Sequence, residues 1–229
     1  MSRKATFVLV HGAWCGGFVY DEVAALLRAK GHTVYAPTLS GLAERSHQAC
    51  PSMSLETHIQ DVVNVFKWHD ITDAILAGHS YGGMVITGVA DQIPERIASI
   101  VYLDAFVPEN GQSLMDAASH SAGGEHVRAN KDGMVPFPPA FAKAFGVPES
   151  DLWKYTAQSR TEIDPVSLTG AYQTIPKKTF VLAEKWPGLR NFYEKFNEDP
   201  NWRTATMPTG HMVMRDDPAL CAQLLEEAI

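Results

Sequence analysis

Gly78-His79-Ser80-Tyr81-Gly82 fits the pattern G-x-S-x-G between an apolar run, Ala74-Ile75-Leu76-Ala77, and a small-residue helical stretch opening near Met84. At a strand-to-helix junction the pattern has a mechanical meaning. Its glycines leave room for a tight, strained turn that holds a serine hydroxyl over the C-terminal edge of a sheet as a nucleophile. Away from such a junction it is only a Gly-rich turn. A serine nucleophile needs a base, and Gly210-His211 follows a late strand and the turn Met207-Pro208-Thr209, where this topology brings a loop beside the serine. Other histidines suit structural roles: His58 and His69 fall on the polar side of a predicted helix, His47, His120 and His126 in loops, and His32 at a strand start. His79 adjoins the serine, but its ring is expected to point away from the hydroxyl and pack.

The chemistry implied is acyl transfer. Its tetrahedral intermediate needs donors already aimed at the oxyanion, each worth about 3 kcal/mol of barrier. The Tyr81 amide offers one at the helix N-terminus. The loop His11-Gly12-Ala13-Trp14 offers a second, with Ala13 as the expected donor.

These groups must be positioned by regular elements. Ala5 to Val10 reads as a buried strand, and Tyr20 to Ala29 as a helix with Val23, Ala24, Leu26 and Leu27 at helical spacing and Gly31 as its stop. Further strands are predicted at His32 to Ala36, Asp73 to Ala77, Ile97 to Leu103, Lys178 to Ala183 and Trp202 to Thr206. Helices are predicted from Ser54 and Thr57 to about His69, over Met84 to Ala90, Leu189 to Phe196 and Pro218 to Ile229. Strand alternating with helix is the pattern of a mostly parallel α/β sheet of about six strands flanked by helices. Between residues 107 and 176 the alternation breaks into Pro-rich chain with short helical patches such as Pro139 to Phe145. This stretch reads as a helical cap inserted into a single domain, 1–229, because its apolar patches are too short to enclose a core. Met115, Met134, Val135, Phe137, Phe141, Phe145, Trp153 and Tyr155 are its candidate apolar walls.

Composition excludes several alternatives. A chain of 229 residues, 45% hydrophobic, supports one domain with a full core. With 19 Lys+Arg against 26 Asp+Glu, the net charge of −7 argues against nucleic acid or an anionic membrane as partner. The longest apolar runs fall far short of a membrane span, and Met1-Ser2-Arg3-Lys4 passes into a strand without a secretory leader, so a cytoplasmic location is expected. Cys15, Cys50 and Cys221 are too scattered for a disulfide framework and read as reduced thiols. No metal-ligand spacing or nucleotide-binding glycine pattern occurs, so no metal and no cofactor is expected. A small-molecule ester is the expected partner, and a homodimer is compatible with all of this.

The chain resembles the α/β-hydrolase family, within it the plant methylesterase and hydroxynitrile lyase group and its bacterial esterase relatives. The resemblance rests on Phe7-Val8-Leu9-Val10-His11-Gly12-Ala13, Gly78-His79-Ser80-Tyr81-Gly82-Gly83-Met84, Val101 to Pro108 and Gly210-His211-Met212. It implies Ser80 as nucleophile, His211 as base and the Ala13 and Tyr81 amides as oxyanion hole. The lyase branch has threonine where Gly12 stands and lysine where Met212 stands; both departures favour ester hydrolysis. In most of the family the triad acid follows the penultimate strand, where this chain has only Glu184, beside Lys185 and before Pro187-Gly188. The competitor is Asp104 in Val101-Tyr102-Leu103-Asp104-Ala105-Phe106, whose apolar surroundings make a charge costly unless an imidazole N–H satisfies it. The plant esterases are apolar there, which fits a migrated acid, and Asp104 is favoured over Glu184. The expected activity is a serine carboxylesterase for small, hydrophobic, largely uncharged esters. A lactonase, a hydroxynitrile-lyase-like enzyme or a non-catalytic ligand receptor on the same fold are the alternatives.

Overall fold

A computed structural model of the chain describes residues 3–118 and 129–229. His120 and His126, expected in loops, lie outside the described residues. The main-sheet strands are β1 (Thr6–Val10), β2 (Thr33–Tyr35), β3 (Ala74–Ser80), β4 (Ile97–Ala105), β7 (Lys177–Ala183) and β8 (Trp202–Met207). A short pair, β5 (Met134–Val135) and β6 (Gln158–Ser159), lies between β4 and β7 in the chain. The helices are α1 (Asp21–Ala29), α2 (Leu55–Trp68), α3 (Gly82–Gln92), α4 (Leu114–Ala118), α5 (Pro139–Ala144), α6 (Arg190–Asn197), α7 (Val213–Asp216) and α8 (Pro218–Glu226).

Six strands pair in the order β2-β1-β3-β4-β7-β8, every neighbouring pair parallel. The α/β sheet expected from the sequence is the one found. Its inner strands are apolar on both faces because helices cover both. Val8, Val10 and Leu76 enter one core with residues of α2, α3 and α6, such as Ile59, Val85 and Phe192. Phe7, Leu9 and Ile75 enter a second with residues of α1 and α8, such as Leu27 and Leu225. That alternation is the two-residue period of the strand, and it sets the register of the sheet.

Two strands run further than their apolar residues predict. β3 continues through Gly78 and His79 to Ser80, and β4 through Asp104 to Ala105. The extension is real pairing, Ser80 opposite Ala105, reached across an irregularity between His79 and Ser80. Polar residues end a hydrophobic pattern, but they do not end a backbone ladder.

Helix α2 begins as its sequence predicts. The Ser54 hydroxyl accepts from the Thr57 amide and the Thr57 side chain answers the Ser54 amide, a reciprocal cap. Ile59, Val62 and Phe66 face the core, and so does His58, contrary to its expected place on the polar side. The segment between β4 and β7 holds α5 as expected. It also holds the antiparallel pair β5–β6, which its Pro-rich sequence hides: Met134 pairs with Ser159 and Val135 with Gln158. No helix of the described residues is long and apolar enough to cross a membrane.

Helix α3 packs close to the chain just after β4 and to α2. A Cβ on Gly83 would stand 2.0 Å from the Phe106 carbonyl oxygen, and one on Gly88 2.4 Å from Ile59 Cδ1. Backbone cannot give way as a side-chain tip can. We therefore expect Gly83→Ala to cost about 3 kcal/mol, the upper end for overpacking, measured as a lowered urea midpoint at unchanged slope.

Candidate active site

The C-terminal ends of β1, β3, β4 and β8 converge on one place. Ser80 has φ 52, a left-handed conformation for a non-glycine residue, at the junction between β3 and α3. Glycines make this turn possible: a Cβ on Gly78 would come 2.7 Å from Gly82 O, and one on Gly82 2.7 Å from both His11 O and Val10 O. Asp104, at the end of the neighbouring strand, is also left-handed, with φ 44.

Asp104 is 0% exposed. Its Oδ1 accepts from the Ala183 amide at 3.1 Å, and its Oδ2 lies 2.6 Å from His211 Nδ1. Since a carboxylate only accepts, Nδ1 carries the ring proton and Nε2 is left as the basic nitrogen. Burial raises the Asp104 carboxyl above the usual carboxylate range while the Ala183 amide pulls it back. Burial also holds the His211 imidazole below its ordinary value. Glu184, the competitor, is an exposed residue beyond β7 whose backbone amide pairs with Met207 O. The structure brings Asp104, not Glu184, to His211.

Ser80 and His211 line one cavity together with Gly12, Ala13, Trp14, Phe137, Phe145, Tyr155 and Met212. Among the described residues no hydrogen bond joins the Ser80 hydroxyl to His211, a contact that in unliganded enzymes often closes only with substrate. The Ala13 and Tyr81 amides form no backbone hydrogen bond among the described residues. Phe145 and Trp186 lie 4.6 Å and 5.4 Å from the His211 ring, centroid to centroid, so the imidazole sits against an aromatic wall. Of the predicted walls, Phe137, Phe145 and Tyr155 reach the cavity, whereas Trp153 is 77% exposed and faces solvent.

Several histidines act here as struts, which their types alone do not reveal. His79 does not merely pack: its Nε2–H donates to His211 O at 2.8 Å, and its ring lies 4.5 Å from that of His211. His11 accepts from the Leu39 amide at Nε2 (3.0 Å), so its Nδ1–H donates to Gly12 O at 2.7 Å. A trans peptide points its N–H opposite to its C=O. Holding the Gly12 carbonyl therefore also fixes the direction of the Ala13 amide. His58 donates to Ser40 O through Nε2 (3.0 Å) and takes the Tyr81 hydroxyl at Nδ1 (2.8 Å), so it is a hydrogen-bonded core histidine. His47 is exposed, and His69 is exposed with its ring 4.6 Å from Tyr35. His32 is buried between the Ala5 amide and Glu226.

A family model described as the alpha/beta hydrolase family matches residues 7–224. The chain belongs to the alpha/beta hydrolase family. It is 39% identical to the carbendazim hydrolyzing esterase of Nocardioides sp. (strain SG-4G), over 96% of this chain and 98% of that one. It is 35% identical to the alpha-hydroxynitrile lyase of Arabidopsis thaliana, over 48% of this chain and 43% of the lyase. Among solved structures, an extracellular alpha/beta-hydrolase from a Paenibacillus species aligns with TM-score 0.80 and 27% identity over 98% of both chains; it is described as sharing structural and functional homology with tobacco salicylic acid binding protein 2.

Within this hydrolase the free thiol beside the site, Cys15, is no rival nucleophile. It is buried, its proton is turned toward Gly12 O at 3.4 Å, and desolvation pushes it up to about 12. Among the described residues no group of His, Cys, Asp or Glu could hold a metal ion. A short, buried Nδ1–H to carboxylate bond deshields its proton strongly. We expect a one-proton NMR signal far downfield of the amide envelope, lost in Asp104→Asn and kept in Glu184→Gln.

Proposed function

We propose that the protein is a serine carboxylesterase acting on small, hydrophobic, largely uncharged esters. The observation that carries this reading is the buried His211–Asp104 pair opening onto the same cavity as a serine in a left-handed turn. The kinship with a named esterase over nearly the whole length of both chains supports it.

In the proposed cycle the Ser80 hydroxyl oxygen attacks the acyl carbonyl while His211 Nε2 takes its proton. The Ala13 and Tyr81 amides hold the oxyanion. His211 then protonates the departing alcohol, and water activated by the same nitrogen releases the acid from the acyl-enzyme. Asp104 keeps the imidazole in the tautomer with Nδ1 protonated and stabilises the imidazolium as it forms. Substrate class follows from the lining: no described residue of the cavity is Lys, Arg, Asp or Glu, while Trp14, Phe137, Phe145, Tyr155 and Met212 contribute apolar surface. The same reading takes 1–229 as a single domain in which 107–176 caps the serine. It is cytoplasmic, in keeping with its free thiols, and needs no cofactor.

Treatment with an organophosphate should modify Ser80 stoichiometrically, read by mass spectrometry, and Ser80→Ala should abolish both the label and turnover of p-nitrophenyl esters. An unlabelled Ser80 in folded protein would end the proposal. Asp104→Asn should lower kcat about 10⁴-fold, the size of the corresponding change in a serine protease, while Glu184→Gln stays near wild type. The pH profile carries a sign. The carboxylate 2.6 Å from Nδ1 favours the protonated ring, so its removal should move the acid limb of kcat/KM to lower pH. A limb moving upward would reassign Asp104.

A further inference from the structure

The loop after β1 is held by the inserted segment rather than by the sheet. Trp14 has φ 62, an unfavourable conformation for a bulky residue. Three hydrogen bonds fix it there: its amide donates to Gln158 Oε1 (3.0 Å), its carbonyl accepts from the Thr156 amide (2.8 Å), and its indole N–H donates to Val135 O (3.0 Å). Phe137 and Phe141 pack against the indole, each with its ring centroid 5.8 Å away.

Gln158 is itself anchored within the segment between β4 and β7. Its Nε2–H donates to Thr161 Oγ1 at 2.6 Å. Beside the serine, the Tyr81 hydroxyl separately donates to His58 Nδ1, since the proton of that ring sits on Nε2 facing Ser40 O. From the Trp14 amide through Gln158 to Thr161 Oγ1, each donor meets an acceptor and the direction is the same. Gln158, Thr161, Tyr81 and His58 are all buried. A buried polar chain satisfied in one sense only has a single low-energy arrangement, and breaking it strands a donor or acceptor away from water.

We infer that Gln158 is a positioning residue for the oxyanion site, a clamp that ties the Ala13–Trp14 peptide to Thr161. This rests on the reading of the Ala13 and Tyr81 amides as oxyanion donors. Ala13 is pinned on both sides: His11 fixes the peptide that carries its N–H, and Gln158 fixes the next. Gln158 is not among the residues lining the cavity of Ser80 and His211. It acts through the aim of amides whose stabilisation exists only when the oxyanion forms, so its loss falls on kcat rather than on KM.

The test uses the full chain with p-nitrophenyl acetate, a trifluoromethyl ketone as oxyanion mimic, and the free product acid as ground-state ligand. Gln158→Met keeps the side-chain length and removes both hydrogen bonds. It should lower kcat about 10²-fold, the loss that follows from misplacing a catalytic group, with KM near wild type. Trifluoromethyl ketone affinity should fall by the same factor and product affinity should hold. Gln158→Glu keeps the acceptor for the Trp14 amide and should retain much of the activity. Thr161→Val breaks the chain one link further on and should lower kcat by a smaller factor, which keeps the inference testable should Gln158→Met fail to fold. Wild-type kcat in Gln158→Met, or equal losses of ketone and product affinity, would overturn it. So would wild-type kcat in Thr161→Val where Gln158→Met does not fold. Wild-type protein that turns over no ester fails the esterase reading itself, whereas active wild type with unaffected variants fails the clamp alone.

Discussion

A carboxylate with no exposed surface sits at the end of β4, and the elements around it are arranged to make that charge tolerable. Leaving an ion so deep without partners costs several kcal/mol. Asp104 spends one oxygen on the Ala183 amide, which the parallel pairing of β4 with β7 brings to the spot, and the other on His211. Because its Nδ1–H is committed to that oxygen, the imidazole inherits a fixed tautomer and a fixed orientation. The loop that carries it is tied at more than one point: Gly210 N to Asp216 Oδ2 at 2.8 Å, Lys185 N to Thr209 O at 3.0 Å, and His79 to the His211 carbonyl. The need to satisfy one buried acid thus organises the ends of several strands.

The backbone around it is strained in the same neighbourhood. Trp14, Ser80 and Asp104 are all left-handed, and they follow or end three strands adjacent in the sheet, β1, β3 and β4. Each such residue costs of order 1–3 kcal/mol and persists only where its surroundings over-determine it. At Ser80 the determinants are the close backbone approaches at Gly78 and Gly82; at Asp104, its two hydrogen bonds; at Trp14, the three hydrogen bonds from the segment between β4 and β7. The strain is therefore held from two directions, by the sheet and by the segment between β4 and β7.

That division explains what could be read without coordinates. The parallel sheet was legible because its strands are apolar on both faces and separated by capped helices, as at Ser54 and Thr57. The serine turn was legible because its requirements are local, two glycines within two residues of Ser80. The partner of His211 was legible only in part: the apolar flanks of Asp104 favoured it over Glu184, and it takes β4, β7 and β8 in register to put one of the two against the imidazole. Roles that depend on distant partners were hidden for the same reason. His58 lies on the core side of α2 because Tyr81 and Ser40 supply its hydrogen bonds, and neither is near it in sequence. Gln158 and Thr161 sit in Pro-rich chain without periodicity, and Trp153, apolar enough for a wall, turns out to solvent.

Gly12 shows how tightly the two halves of the site meet. A Cβ there would stand 2.9 Å from His79 Nδ1 and 3.1 Å from Ser80 Cβ. A branched side chain at this position would enter the space in front of the serine, displacing either the elbow or the ring that holds the His211 carbonyl. The His79 Nδ1 it would meet has no hydrogen-bond partner among the described residues. The orphaned nitrogen and the missing Cβ belong to one compromise: the ring is spent on the His211 loop through its other nitrogen, and the loop after β1 comes as near the serine as a glycine permits. With Met212 rather than a cation after His211, the described lining of the cavity carries no charged Lys, Arg, Asp or Glu, and its surroundings suit an uncharged carbonyl compound better than a small anion.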